Sequence, residues 1–146
     1  MSARSKARWL PVLLLLTGCG KEVGRVPFSG VGSNSAVTTL HAGKVAFWTD
    51  VDLAYVGSAA LEYRIALVQG GTQVATAVCD ALGPMGTKLG WFELDLRSGH
   101  SRRGRGEMLC SADLGKGGPT TVDATLAFGV QPLRANISRA DLVVKQ

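Results

Sequence analysis

Apolar and polar residues alternate along most of this chain, and Gly, Pro, Ser and Asp separate the alternating stretches. In residues 44–53 the odd positions are apolar or threonine, whereas the even ones include Trp48, Asp50 and Asp52. A period of two is typical of a β-strand with one buried face. No window keeps a 3.6-residue period, so the chain is predicted to be all-β.

The clearest hairpin lies in residues 61–78, where Gly70 and Gly71 form a two-residue turn that tolerates positive φ. Counting outward from this turn predicts three cross-strand pairs: Leu67 with Val74, Ile65 with Thr76, and Tyr63 with Val78. The same register directs Cys79 to the opposite face, beside Glu62. We therefore expect the strand to end or bulge at Cys79.

Further segments show the same alternation, and with residues 36–40 they bring the total to about eight strands. Their predicted inward-facing residues are Phe92, Leu94 and Leu96; Met108, Cys110, Ala112 and Leu114; Val122, Ala124, Leu126, Phe128 and Val130; and Leu142 and Val144. The spacing favours an antiparallel two-sheet sandwich, either jelly-roll or immunoglobulin-like. A single sheet closed on itself is the alternative.

The N-terminus has the three-part layout of a secretory signal. Arg4, Lys6 and Arg8 make a basic region, residues 9–16 are apolar apart from Pro11, and small residues follow. The apolar run is much shorter than the roughly 20 residues that cross a bilayer. Cleavage of residues 1–18 is therefore favoured over a permanent membrane span.

The segment Leu16-Thr17-Gly18-Cys19 resembles the lipobox of bacterial lipoproteins. This resemblance covers residues 1–19 only. It implies that the Cys19 thiol receives a diacylglycerol and becomes the first residue of the mature chain, usually with a further acyl group on its new amino terminus. Two or three acyl chains hold a protein stably on a membrane.

The resemblance also indicates where the protein resides. Gly20, rather than aspartate, follows Cys19, which favours the outer membrane of a Gram-negative cell envelope over retention at the inner membrane. Residues 19–35 are rich in Gly and Ser and are predicted to be a flexible tether. The alternative is an edge strand at the apolar residues 26–28. The sandwich domain is then expected to occupy residues 36–146.

Removal of the leader changes the charge balance. The sixteen basic residues include Arg4, Lys6 and Arg8, so thirteen remain against eleven acidic ones, a net charge of +2. A nearly balanced charge argues against a nucleic-acid-binding protein, which needs a basic surface. The remaining length suits one domain.

With Cys19 acylated, two cysteines remain, Cys79 and Cys110. Exported proteins reside in oxidising compartments, so these two are expected to form a disulfide. The alternative, a metal site containing both thiols, lacks a CxxC pair or a histidine motif. No metal or other cofactor is predicted.

Catalytic motifs are absent from the sequence. The two histidines, His41 and His100, both lie in predicted turns. Residues 99–103 begin like the G-x-S-x-G nucleophile motif, but Arg103 stands where glycine is required. We therefore expect a non-catalytic protein.

Two sets of residues are candidate ligand contacts. Outward tryptophans and neighbouring acids could form a carbohydrate-binding face: Trp48, Asp50, Asp52, Trp91, Glu93 and Asp95. The competing interpretation is a solvated strand face on which other parts of the protein cover each indole. Three arginines in a predicted loop could contact an anionic group: Arg102, Arg103 and Arg105. The alternative for these is a solvated hairpin tip.

The sequence thus predicts a lipid-anchored envelope protein whose sandwich is a structural or protein-binding module. The second hypothesis is a module that binds carbohydrate or another envelope polymer through the tryptophans and acids. Both expect a partner in the cell envelope, and neither involves nucleic acid.

Overall fold

Nine β-strands and no helix form the part of the chain that the structure, a computed structural model, describes, which is residues 20–146. The predicted leader and the predicted lipobox, which comprises Leu16, Thr17, Gly18 and Cys19, lie outside the described residues. The strands are β1 (Glu22–Val26), β2 (Gly32–Leu40), β3 (Gly43–Val56), β4 (Ala60–Gln69), β5 (Thr72–Asp80), β6 (Met85–Leu96), β7 (Gly99–Leu114), β8 (Gly118–Val130) and β9 (Arg134–Lys145). Within this range no helix has the length and apolarity that would cross a bilayer.

The strands form two antiparallel sheets. One has five strands in the order β1-β9-β3-β7-β6, and the other has four in the order β2-β8-β4-β5. Along the chain, each strand pair encloses the next one, in the order β1–β9, β2–β8, β3–β7 and β4–β5. This nested pairing is that of a jelly roll. An immunoglobulin-like sandwich has its first two strands in one sheet, whereas β1 and β2 lie in different sheets here. The predicted two-sheet sandwich is therefore confirmed, with β6 as an additional edge strand.

The predicted tether is wrong for residues 22–26, which form β1, and for residues 32–35, which form the first part of β2. Val26 and Phe28, within this Gly- and Ser-rich stretch, are buried in the core. Of the described residues, only Gly20 and Lys21 precede β1. The Lys21 amide already donates to the Gln146 carbonyl at 2.8 Å, and the Gln146 amide donates back at 3.1 Å.

The core lies between the sheets, where the inward faces of β3, β4, β7, β8 and β9 meet. All five odd positions of residues 45–53 are buried, as alternation predicts. Tyr63 of β4 spans the two sheets. Its hydroxyl donates to the Ala140 carbonyl of β9 at 2.7 Å and therefore accepts from the Thr49 hydroxyl of β3 at 2.8 Å. Burial raises the pKa of Tyr63 well above its ordinary value.

The turn at Gly70 and Gly71 is confirmed, and both residues have positive φ. The predicted pairing beyond it is wrong, because Val74 is an extra residue in β5 and shifts the register by one. The observed pairs are Leu67 with Ala75, Ile65 with Ala77, and Tyr63 with Cys79. The bulge thus occurs before Cys79 and turns it inward.

The inward-facing Cys79 forms the predicted disulfide with Cys110 of β7, with their Cα atoms 5.5 Å apart. The bond joins β5, an edge of the four-stranded sheet, to β7 of the other sheet. Closing a loop of 31 residues stabilises the fold by about 3–4 kcal/mol on a chain-entropy estimate.

A second bulge reverses the predicted faces of β6. Gly90, at φ +58°, is an extra residue between the pairs Leu89–Arg105 and Phe92–Arg103. Phe92 is therefore on the face of Arg103 and Asp52, which points away from the core. The predicted inward positions of Phe92, Leu94 and Leu96 are wrong for this reason. A Cβ on Gly104, which faces this bulge, would come within 2.5 Å of the Gly90 carbonyl oxygen.

We predict that Tyr63→Phe lowers the free energy of unfolding by about 1–3 kcal/mol, because it leaves a buried hydroxyl and a buried carbonyl without their partner. Tyr55→Phe is the matched control, since no hydrogen bond to the Tyr55 hydroxyl is found among residues 20–146. It should change stability by less than about 0.5 kcal/mol. Urea unfolding of both variants measures the difference, and equal effects would contradict the role of the Tyr63 hydroxyl.

Candidate functional site

Trp48 is not available to a ligand, contrary to its place in the predicted carbohydrate-binding face. It lies on the outer face of the five-stranded sheet, as alternation predicts, but is only 1% exposed. The Lys145 ammonium is 3.6 Å from the centre of its ring, a cation–π contact. A long basic side chain thus covers the indole, as amphipathic side chains commonly do.

Trp91 is on the opposite face of the same sheet. Residues that are paired directly across neighbouring strands point to the same face of the sheet. Glu93 is paired with Arg102, and Arg102 is paired with Leu53, whose side chain lies in the core. Trp91, two residues before Glu93, therefore points to the core side, where it is half-buried and donates its indole N–H to Glu93 at 2.8 Å. Trp48 and Trp91 do not form a common platform for stacking on sugar rings.

Asp50 is the centre of an ionic cluster on the outer face of the five-stranded sheet. Asp50 and Asp141 are paired across β3 and β9 and are both buried. One guanidinium nitrogen of Arg25 donates to both carboxylates at 2.9 Å. Arg139 approaches Asp50 to 3.2 Å and Arg105 to 3.4 Å.

The cluster determines the protonation of its central carboxylate. Burial on its own raises the pKa of Asp50, but the hydrogen bond from Arg25 and the charges of Arg139, Arg25 and Arg105 outweigh it. The net result is a pKa below the ordinary value. Asp50 is therefore a charged structural residue whose oxygens are already engaged by protein groups.

The three arginines predicted to lie in a loop are instead within β7, paired with β3 and β6. The observed turn is at Arg97 and Ser98. Because alternate strand residues point to opposite faces, the Arg103 side chain is on the outer face of the sheet and the Arg102 side chain is on the core side. Arg103 is 3.4 Å from Asp52 on the outer face.

Arg102 belongs to a second cluster, on the core side of β6 and β7. It donates to Asp95 at 2.8 Å and lies 3.8 Å from Glu93. The His100 ring, stacked on Tyr55, is 2.7 Å from Asp95. Hydrogen bonds from Arg102 and then from His100 lower the pKa of Asp95. The predicted acidic and basic ligand residues thus pair largely with one another.

The prominent exposed feature of the described residues is an apolar strip on the outer face of β6, formed by Leu89, Phe92, Leu94 and Leu96. Their side chains are 43–58% exposed. β5 packs against β7, so β6 lies at the open edge of the sandwich. Sequence alternation revealed Phe92, Leu94 and Leu96 but assigned them to the core. Gly90 within a strand pattern was the available signal of a bulge.

Leu94 and Leu96 of the apolar strip form one wall of a shallow groove of about 450 Å³. Short residues of β7 and β3 form its floor, including Gly99, Ser101 and Ala54. Arg134 and Asn136 of β9 form the other wall. A second, wider hollow of about 840 Å³ crosses the outer face of the four-stranded sheet, and its lining contains no aromatic side chain.

Among residues 20–146, no group of three or more His, Cys, Asp or Glu side chains is arranged to hold a metal ion. The sequence matches no known protein-family profile and has no significant similarity to a curated protein. Function is therefore inferred from the fold and the side-chain arrangement.

We predict that the Asp50 cluster makes stability depend on pH. A carboxylate whose pKa is lower in the folded protein than in the unfolded chain stabilises the fold when it is charged. This stabilisation is complete above about pH 4 and is lost as the pH falls through the pKa of the folded state. Asp50→Asn should cost about 2 kcal/mol at pH 7, and the gap to the unmodified protein should narrow in acid. Unfolding titrations from neutral to acid pH measure this.

Asp123→Asn is the matched control for Asp50→Asn, since Asp123 is exposed and no ion pair to it occurs within the described range. It should be neutral within about 0.5 kcal/mol. A constant gap between Asp50→Asn and the unmodified protein at every pH would show that the carboxylate charge is not what stabilises the cluster.

Proposed function

We propose that this protein is a lipid-anchored component of the bacterial cell envelope whose jelly-roll domain is a non-catalytic module that binds another protein through β6. The apolar strip formed by Leu89, Phe92, Leu94 and Leu96 is the observation that carries the proposal. Exposed apolar patches on otherwise polar surfaces mark interaction sites.

The proposed partner is an extended protein segment that adds to the free edge of β6. The stretch Phe92–Leu96 pairs regularly with β7 on one side, and β6 is the last strand of its sheet. An edge strand offers unpaired main-chain groups to an incoming strand. Regular pairing without a bulge in this stretch is what such an addition requires.

The side chains of β6 specify the sequence that would fit. On the outer face, Phe92 and Leu94 favour apolar residues in the added strand. On the other face, the side chains of Glu93 and Asp95 contact Arg102 but remain 44% and 53% exposed. They favour lysine or arginine in the added strand, because opposite charges stabilise cross-strand pairs. The partner is therefore proposed to alternate apolar and basic residues.

The placement of His100 relative to Ser101 supports a non-catalytic role. His100 and Ser101 are consecutive strand residues, so their side chains lie on opposite faces of the sheet. His100 instead contacts Asp95 and Tyr55. This separation leaves the serine without a neighbouring base, which nucleophilic catalysis needs.

The lipobox at Cys19 and the disulfide support the location. Disulfides persist in oxidising compartments such as the periplasm, which agrees with export of this chain. The absence of aspartate after Cys19 supports the outer membrane as the destination. The anchor would then hold the domain at the bilayer surface.

We predict that the purified membrane-associated protein has an N-terminal peptide whose mass corresponds to Cys19 with acyl chains. Cys19→Ser should accumulate with its leader uncleaved, because the lipidated cysteine is required for that cleavage in lipoproteins. Mass spectrometry and immunoblotting measure both results. An unmodified N-terminus on the membrane-bound protein would overturn the anchor.

We predict that a synthetic peptide of alternating valine and lysine binds the domain and protects β6 amides from hydrogen exchange. Phe92→Ser with Leu94→Ser should weaken this binding by tenfold or more, on the order of 1–2 kcal/mol lost for each apolar contact. NMR titration measures both effects. Leu109→Ser is the matched control, since Leu109 is equally apolar, 69% exposed and on β7.

A peptide of alternating valine and glutamate, and a valine–lysine peptide methylated on its strand-pairing amides, should both bind weakly. Protection of β6 by the methylated peptide would contradict strand addition. Equal losses in the β6 and Leu109 variants would contradict the assignment of the surface.

A further inference from the structure

The chain enters the sandwich without a spacer. Lys21 is hydrogen-bonded to Gln146, and β1 begins at Glu22. Two residues of extended chain span at most about 7 Å. If Cys19 carries the acyl chains, as proposed above, the end of the sandwich at which Lys21 lies is held next to the lipid headgroups.

A series of contacts defines this end of the sandwich. Lys21 pairs with Gln146, whose side chain accepts from the His41 amide at 2.7 Å and donates to the His41 carbonyl at 2.8 Å. A Cβ on Gly117 would lie 3.3 Å from the His41 Cα, so the β7–β8 turn with Lys116 is adjacent. We call this region the anchor end.

The lysines within residues 20–146 are concentrated at the anchor end. Of the five lysines among residues 20–146, Lys88 alone is elsewhere; the others are Lys21, Lys44, Lys116 and Lys145. Lys44 is at the start of β3, opposite Asp113. Lys21, Lys44 and Lys116 are exposed, and none has an ion-pair partner within 4.0 Å among the described residues.

Acidic side chains at the anchor end do not cancel this charge. Glu22 is already engaged by Arg25 at 2.7 Å. Asp113 contributes one negative charge. The lysines contribute three exposed ammonium groups and that of the half-buried Lys145. The arginines lie elsewhere, mostly on the sheet faces, where many of them pair with carboxylates. The two types of basic residue thus occupy different places in the fold.

We propose that the anchor end is a membrane-facing surface whose lysines bind the phosphate groups of anionic phospholipids. This inference rests on the proposed lipid anchor. Lysines near an anionic bilayer are each attracted appreciably, and the attraction decays within a Debye length of about 10 Å. The short connection to Cys19 keeps the anchor end inside that distance.

The proposed orientation also places β6 relative to the membrane. β6 runs from Met85 towards Leu96, and Leu96 pairs with Gly99 at the start of β7. β7 ends at Leu114, opposite Gly43 at the anchor end. The Leu96 end of the apolar strip therefore points away from the bilayer and is open to a partner.

Lysine acylation in proteoliposomes tests the proposal. The native protein is reconstituted with phosphatidylcholine alone or with added phosphatidylglycerol, treated with a membrane-impermeant amine reagent, and analysed by mass spectrometry. With phosphatidylglycerol, labelling of Lys21, Lys44 and Lys116 should fall by about fivefold each. Labelling of Lys88 is the internal control and should not change.

High salt separates charge attraction from simple shielding by the anchor. At about 1 M salt the Debye length is near 3 Å, so the protection by phosphatidylglycerol should disappear. Equal labelling of the anchor-end lysines in both lipids would overturn the proposal. The proposal would also be overturned if phosphatidylglycerol still protected these lysines in high salt.

The anchor and the basic surface are tested independently. Flotation with uncharged phosphatidylcholine vesicles reports the acyl anchor alone. If the protein does not float with them, the anchor is wrong, and the labelling comparison is repeated with vesicles added to the free protein. Lysine protection by phosphatidylglycerol would then support the basic surface by itself, and its absence would overturn it.

Discussion

The positions of a few extra residues in the strands decide which face of each sheet the following side chains occupy. Because side chains alternate with a period of two, one inserted residue moves every later side chain to the other face. Val74 in β5 turns Cys79 towards the core, where it meets Cys110. Gly90 in β6 turns Phe92 and its neighbours outward. The covalent link between the sheets and the exposed strip both depend on this constraint.

Local pattern was sufficient to predict the fold class and much of the core. The alternation around Thr49 and the turn at Gly70 and Gly71 depend on residues close together in sequence, and both are found as expected. The bulge at Gly90 was not predicted, although a glycine within a strand pattern is a sign of one. The bulge expected at Cys79 lies at Val74 instead, because a valine fits a strand equally well with or without an extra residue. For the same reason the pairing of Tyr63 was wrong by one position.

The candidate ligand residues were harder to predict, because their partners are distant in sequence. Arg25 binds Asp141, 116 positions away, and no local pattern reveals such a contact. The sequence therefore showed acids and arginines as two separate surfaces, whereas the structure pairs many of them across strands. Trp48 was assigned to the correct face, but its cover, Lys145, is contributed by a strand at the far end of the chain.

The bond between Cys79 and Cys110 has a consequence for biogenesis if the chain is secreted as proposed. In the reducing cytosol the two thiols remain free, and the newly made precursor lacks the crosslink between its sheets. A less stable precursor is easier to keep unfolded for passage through a translocation channel. Oxidation on the far side then closes the crosslink, so that maturation in the envelope makes the domain durable only after it has arrived.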